Sequence, residues 1–351
     1  MGMIRNRIVK LSGLAILVVL LLFLPTMLSG NQYLVSVVSL AAINILLVAS
    51  LRNIFLTDQI SLGQVGFSLI GSYGGALLVM KAGMNFWAAL VLSGLLAAAI
   101  ALVLGYPFLK VKGIYFSILT LMTAETFRLV AYYWRELTGG TLGLVNIPPA
   151  SPMTLPFIGT IKFDTLTSYY YIVIIVVLIC LFILYLLERS HVNFRWRAIK
   201  DADELALSVG INVVWYKMIN FAIACFFAGI SGALFTFFQR NLSADGTSRF
   251  GITMSIYLLV YMVVGGHKHF TGPIIGTLVL TIITELLRPM QNYQPMIIGL
   301  IAILVMIFMP NGLSGLPSQI RYWWQQRRKS GQTKSIAQES DRETNGPSKA
   351  G

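Results

Sequence analysis

Long apolar runs separated by short polar joints make up most of the chain, and one joint is unlike the others. Runs of near-spanning length occur at Leu11–Leu28, Tyr33–Leu51, Ile60–Met80, Phe86–Leu109, Gly113–Trp134 and Tyr169–Leu187. Four more follow at Met218–Phe238, Phe250–Val264, Thr271–Leu287 and Tyr293–Met309. Roughly 20 apolar residues cross a bilayer as a helix, so the pattern predicts an all-α polytopic membrane protein with about ten transmembrane helices. The runs are continuous rather than alternating, which excludes a β-barrel. The exceptional joint is Glu188–Lys217, a thirty-residue polar island between two apolar runs. Within it, Arg197–Val209 has helix-forming composition and no Pro or Gly before Gly210. Ala198, Leu205, Ala206 and Val209 recur at helical spacing, predicting one short helix with a modest apolar face. Gly210 supplies a left-handed stop.

Composition agrees with the pattern. Apolar residues are 56% and charged residues 11% of the chain, against about 25% charge in a soluble domain. The net charge of +13 would suggest nucleic acid in a soluble protein; its distribution assigns it to membrane topology instead. With the N-terminus inside, 19 Lys and Arg fall on the cytoplasmic side and 7 on the other. This follows the positive-inside rule for an even number of spans, with N-terminus and C-terminus both cytoplasmic. Eight spans plus two re-entrant segments would keep the same ends. The basic start followed by Leu11–Leu28 reads as an uncleaved first helix. Residues 1–316 form one transmembrane domain carrying the loop 188–217. Residues 317–351 combine a basic, Trp-containing interfacial segment, Arg321–Lys329, with a polar cytoplasmic tail that reads as disordered.

Four features could carry chemistry. Ser61–Gly75 is dense in glycine, and glycine costs about 1 kcal/mol against alanine within a helix. Either close helix packing requires it, or a broken helix lines a substrate path with Ser61, Gly63, Gln64, Gly66 and Ser68. Thr138, Gly139 and Gly140 open the long outer loop, where they form a turn or cradle a carboxylate with backbone N–H groups. That loop continues through Pro148, Pro149, Pro152 and Pro156 as extended, irregular chain. Glu125 and Glu285 each have an arginine three residues on, Arg128 and Arg288, making structural pairs or gate-lining pairs. Cys180 and Cys225 lie in apolar runs and read as core residues. None of the three histidines has a metal-ligand partner at suitable spacing, so no metal or cofactor is expected. There is no phosphate-binding G-x-x-x-x-G-K-[ST], no G-x-S-x-G and no H-E-x-x-H. The chain is therefore not expected to be an enzyme or to hydrolyse ATP itself.

The stretch Glu204–Gly210, ELALSVG, resembles the EAA-x-x-x-G loop of ABC importer permeases. The wider RAIKDADELALSVGINVVWYK is similar to the corresponding loop of the LivM-like branch of branched-chain amino acid permeases. Further agreement comes, in family order, from SLGQVGFSLIGSYGGALL, KGIYFSILTLMTAETFR, LTGGTLGL, the GG-x5-GP run of Gly265–Pro273, and MPNGLSGL. The I-x-L-P ending of the broader pattern is absent after Gly210, as is usual in this branch. The resemblance covers roughly residues 35–316. It implies a subunit paired with a second homologous permease, two ATP-binding cassette ATPase subunits and an extracytoplasmic solute-binding protein, in a bacterial or archaeal cytoplasmic membrane. It also implies that Arg197, Asp203, Glu204, Ala206 and Gly210 couple to the ATPase. Hydrophobic amino acids are the implied solute, with urea or short amides carried by related branches. A proton-coupled secondary transporter using Glu125 or Glu285 competes with this reading, as does a membrane-embedded transferase using His267 and His269. The internal arginine partners weigh against the former and the lack of a nearby acid against the latter.

Overall fold

The computed structural model describes residues 31–150, 153–155, 159–161, 165–246, 249–290, 293–309 and 312–315. The expected first span, Leu11–Leu28, and the tail from Pro317 onward lie outside the described residues. Nine of the ten predicted spans are helices among the described residues: α1 (Gln32–Phe55), α2 (Gln64–Met80), α3 (Phe86–Phe108), α4 (Ile114–Tyr133), α5 (Leu166–Arg189), and, after the polar island, α8 (Val213–Gln239), α9 (Ile252–Gly265), α10 (Thr271–Leu286) and α11 (Gln294–Phe308). The island itself contains α6 (His191–Asp201) and α7 (Asp203–Ser208).

Six stretches are long and apolar enough to cross a membrane: α1, α3, α4, α5, α8 and Gln294–Gly315. The remaining three, α2, α9 and α10, have 17, 14 and 16 residues. At 1.5 Å per residue they cover about 21–26 Å, short of a hydrocarbon core of about 30 Å. The outer loop also differs from expectation. Met153–Leu155 pairs antiparallel with Gly159–Ile161, whereas the chain through Pro148 and Pro149 is irregular as expected; Pro152 and Pro156 lie outside the described residues.

The bundle is organised around α8, which packs on α1, α2 and α3. Its residues Phe221, Ala224, Cys225, Ala228, Ala233 and Phe237 are all fully enclosed. Small residues let the helices meet closely, as expected where apolar side chains gain nothing by leaving lipid. A Cβ at Gly71 of α2 would lie 2.2 Å from the Gly229 carbonyl oxygen of α8. At Gly105 of α3 the nearest atom to a Cβ is a Met218 side-chain carbon at 3.5 Å. Gly71→Ala is therefore expected to force the α2–α8 crossing apart, costing about 1–3 kcal/mol. Gly105→Ala should be neutral or stabilising by about 0.5–1 kcal/mol. Thermal unfolding of the two purified variants checks the contrast; equal midpoints would refute the close crossing.

Several polar groups inside the bundle pair with one another. Asn53 Nδ2 donates to Asn220 Oδ1 at 2.7 Å, and Asn220 Nδ2 donates to the Asn53 carbonyl at 2.8 Å. Buried Arg52 forms two 2.8 Å bonds to the two oxygens of Glu188 at the end of α5. Its Nε donates to the His267 carbonyl at 3.0 Å. One guanidinium thus ties α1, α5 and the α9–α10 turn together.

Candidate functional site

The polar island folds as two helices, not one. Ala202 is extended and separates α6 from α7. Asp203 and Glu204 occupy the first turn of α7, where carboxylates favour a helix start. That charge pattern explains the break, which the composition of Arg197–Val209 did not suggest. The expected apolar face also divides. Trp196, Ile199 and Ala206 are buried against the bundle, with Trp196 Nε1 donating to the Tyr216 carbonyl at 3.3 Å. Ala198 is exposed, and Leu205 and Val209 are 69% and 74% exposed. Ile199, Ala206 and Val213 form a small core of their own, flanked by Ile211 and Tyr216. Gly210 has φ +84°, the left-handed stop expected of it, and Asn212 then caps α8 by accepting from Trp215 N at 3.1 Å.

The five residues of the proposed coupling set separate into two kinds. Arg197, Glu204 and Gly210 are exposed. Ala206 is buried, and Asp203 accepts a 2.7 Å bond from Lys217 Nζ. Lys200 anchors the first helix: its Nζ donates to the Phe55 carbonyl at 3.2 Å and lies 3.7 Å from the Phe55 ring centroid. Burial lowers the Lys200 pKa, opposed by Asp58. His267 packs edge-on against Phe55, with centroids 4.6 Å apart. Burial, then the nearby Lys200, Lys268 and Arg52, lower its pKa below the ordinary imidazole value.

Of the residues expected along a substrate path, Ser61, Gly63, Gln64 and Gly66 lie together where α2 begins. Residues 59–63 are not helical and are largely buried, a backbone arrangement tolerated at membrane depth only where protein satisfies it. Ser117 Oγ donates to the Ile60 carbonyl at 2.6 Å, and Leu62 N donates to Thr120 Oγ1 at 3.1 Å. Gly63 and Gly66 sit so close to α4 that a Cβ would lie 2.7 Å from the Thr120 carbonyl oxygen and 2.6 Å from Ala124 Cα respectively. From Gln64 onward the helix is continuous. Gln64 is buried and donates to Ser50 Oγ at 2.9 Å and to the Ala224 carbonyl at 3.1 Å. Glu125 is hydrogen-bonded to Arg128, which also donates to the Ala244 carbonyl at 2.9 Å. Thr138, Gly139 and Gly140 form a turn. Thr138 Oγ1 donates to the Ala131 and Trp134 carbonyls at 2.6 and 2.5 Å. Gly139 N donates to the Arg135 carbonyl and Gly140 N to Thr138 Oγ1, so the N–H groups considered for a carboxylate cradle are already engaged.

A cavity of about 670 Å³ opens elsewhere, between α1, α8, α9, α10 and the start of α11. Its walls include Asn44, Arg249, Tyr257, Thr281, Glu285 and Gln294. It lies toward the Gln239 end of α8, whereas α7 contacts the Lys217 end, about 33 Å away along the helix axis. Sequence reasoning noted Glu285 and missed Arg249 and Asn44. Asn44 within an apolar run and Arg249 immediately before one are signals of the kind that mark intramembrane sites, but only the folded chain brings them together.

The comparisons with known proteins agree with this architecture. Residues 33–310 match the family described as "Branched-chain amino acid transport system / permease component". The chain belongs to that family. It is 30% identical over 318 residues to the high-affinity branched-chain amino acid transport system permease protein LivM of Escherichia coli K12, covering 86% of this chain and 74% of the relative. With LivM of Salmonella typhimurium LT2 it shares 29% identity over 322 residues, covering 87% and 74%. No solved structure matches significantly.

Proposed function

We propose that this chain is the membrane-spanning permease subunit of an ABC importer that moves branched-chain or similarly hydrophobic amino acids across a bacterial cytoplasmic membrane. The observation that carries the proposal is the α6–α7 element. It is rooted in the bundle through Trp196, Ile199 and Lys200, yet it exposes Glu204, Leu205 and Val209. Phe194, 72% exposed on α6, adds to the apolar surface. Such a surface on a short helix suits a groove on a partner protein. In this reading the partner is a separate ATPase, as the likeness to branched-chain amino acid permeases implies. A second homologous permease completes the pathway, and an extracytoplasmic binding protein delivers the solute.

In this reading the chain crosses the membrane an even number of times with both ends cytoplasmic, in accord with its asymmetric basic residues. Closure of the ATPase pair moves α6 and α7, and Lys200, Phe55 and the Asp203–Lys217 pair pass that movement to α1 and α8. The test is purification of tagged full-length protein from native membranes in mild detergent. Co-purification of a second polytopic chain and of ATPase subunits is expected. Recovery of this chain alone, stable and monodisperse, would refute the assignment.

A further inference from the structure

The 670 Å³ cavity has a composition that the coupling element does not explain. Arg249 projects a guanidinium into it, with the charge centre 4.4 Å from the Phe235 ring centroid. Nη2 of Arg249 donates to Asn44 Oδ1, and Asn44 Nδ2 in turn donates to Thr281 Oγ1 at 3.4 Å. The cation is therefore held in place from two helices. The ion pairs among the described residues join Arg52, Arg197, Lys112, Lys217, Arg128 and Arg288 to carboxylates; none involves Arg249. Withdrawing a cation from water without an anion beside it is unfavourable, and an intramembrane charge kept in that state is a binding-site signal.

The opposite charge lines the same cavity. Glu285 is one helical turn beyond Thr281 on α10, and both described partners, Tyr33 at 3.0 Å and Arg288 at 3.0 Å, reach its Oε1. Arg288 lines the same cavity and is largely exposed, and both bonds fall on Oε1, leaving Oε2 as the carboxylate oxygen open to a ligand. The same walls carry apolar surface from Val37, Leu40, Met254 and the ring of Phe235. Tyr257 and Tyr261 stack beside it. A fixed cation, a fixed carboxylate and an aliphatic wall together complement a zwitterion with a hydrocarbon side chain. A simple anion would leave Glu285 Oε2 without a donor, and a simple amine would leave Arg249 without a carboxylate.

We infer that this cavity is a binding site for a free α-amino acid within the permease itself, with the ligand carboxylate on Arg249, its ammonium on Glu285 and its side chain against Val37, Leu40 and Met254. The choice of an amino acid over other zwitterions rests on the permease reading above. By that topology the cavity lies in the outer half of the bundle, on the side where a binding protein would release its cargo. The permease would then contribute its own selection for a zwitterion.

The test uses the assembled transporter in nanodiscs and photo-leucine, the diazirine analogue of leucine, with labelled peptides mapped by mass spectrometry. Labelling is expected on cavity segments around Val37–Leu40 or Met254–Tyr257. Excess leucine should compete, while isovalerate and isoamylamine, each lacking one charge, should compete at least about tenfold less well, one lost charged contact being worth more than 1.4 kcal/mol. Arg249→Gln and Glu285→Gln should each lower labelling about tenfold or more, and Arg249→Lys should retain part of it. Retention of the ATPase subunits by each variant shows that it has folded and assembled. Labelling that persists in Arg249→Gln, or that falls only outside the cavity, overturns the site. Competition by isovalerate equal to that by leucine overturns the ammonium contact. Leucine uptake by the wild-type assembly is measured in parallel. Uptake without cavity labelling defeats this inference and leaves the permease reading standing; Arg249-dependent labelling without uptake does the reverse.

Discussion

Glu204→Lys is expected to abolish amino-acid uptake while the protein still inserts and folds. Glu204 is exposed in the first turn of α7, and its side chain is not needed to bury anything. Reversing its charge removes a favourable interaction with the helix N-terminus worth about 0.3–1 kcal/mol, too little to unfold the bundle. If Glu204 instead meets basic groups on an ATPase, placing a cation there costs about 2–5 kcal/mol of docking. That corresponds to a loss of about thirtyfold or more in affinity. Val209→Asp, at another exposed position, should have a similar effect through lost apolar contact. Ala206→Asp should behave differently: Ala206 is buried with Ile199 and Val213, so the change would disrupt the element itself. The measurement is uptake in intact cells with membrane-inserted protein quantified alongside. Normal uptake in Glu204→Lys would refute the docking assignment.

The second large effect is on stability. Arg52 is buried, its guanidinium meets both oxygens of Glu188, and its Nε holds the His267 carbonyl. Among the described residues, Arg52→Ala leaves Glu188 paired only with the exposed Arg197 at 3.9 Å. It also leaves the His267 carbonyl without this donor and frees the turn between α9 and α10. Breaking one side of a buried pair costs about 3–5 kcal/mol, mostly because the surviving charge has lost its partner. Replacing both members, Arg52→Met with Glu188→Leu, should recover much of that loss for the same reason. Detergent-mixture unfolding of the single and double variants checks the pattern. A loss in Arg52→Ala below about 1 kcal/mol would place the pair among solvent-screened surface bridges instead.

Helix placement was legible because lipid imposes long apolar runs, and each described span lies close to its run. Span length was not. Phe250–Val264 and Thr271–Leu287 read as crossings, yet α9 and α10 are too short to cross alone. The end of α9 meets α10 at close range, where a Cβ on Gly276 would lie 2.4 Å from Gly265 Cα. Such a contact is a tertiary property that no local pattern reports. The polar island stood out as a docking loop, but its break at Ala202 depended on reading Asp203 as a helix start. The glycine-rich SLGQVG was open to two readings, and only its neighbours Thr120 and Ala124 on α4 show how closely it packs. Arg249 and Asn44 are 205 residues apart in sequence, so their meeting could not be anticipated from spacing.

The central claim is that an ATPase docked on α6 and α7 drives transport through this chain. The most direct measurement is leucine accumulation in proteoliposomes containing this chain, its co-purifying partners and internal ATP, with the binding protein outside. Accumulation is expected only when every component and ATP are present, unaffected by a pH gradient and absent with Glu204→Lys. Accumulation by this chain alone, driven by a pH gradient and lost in Glu125→Gln, would contradict the account.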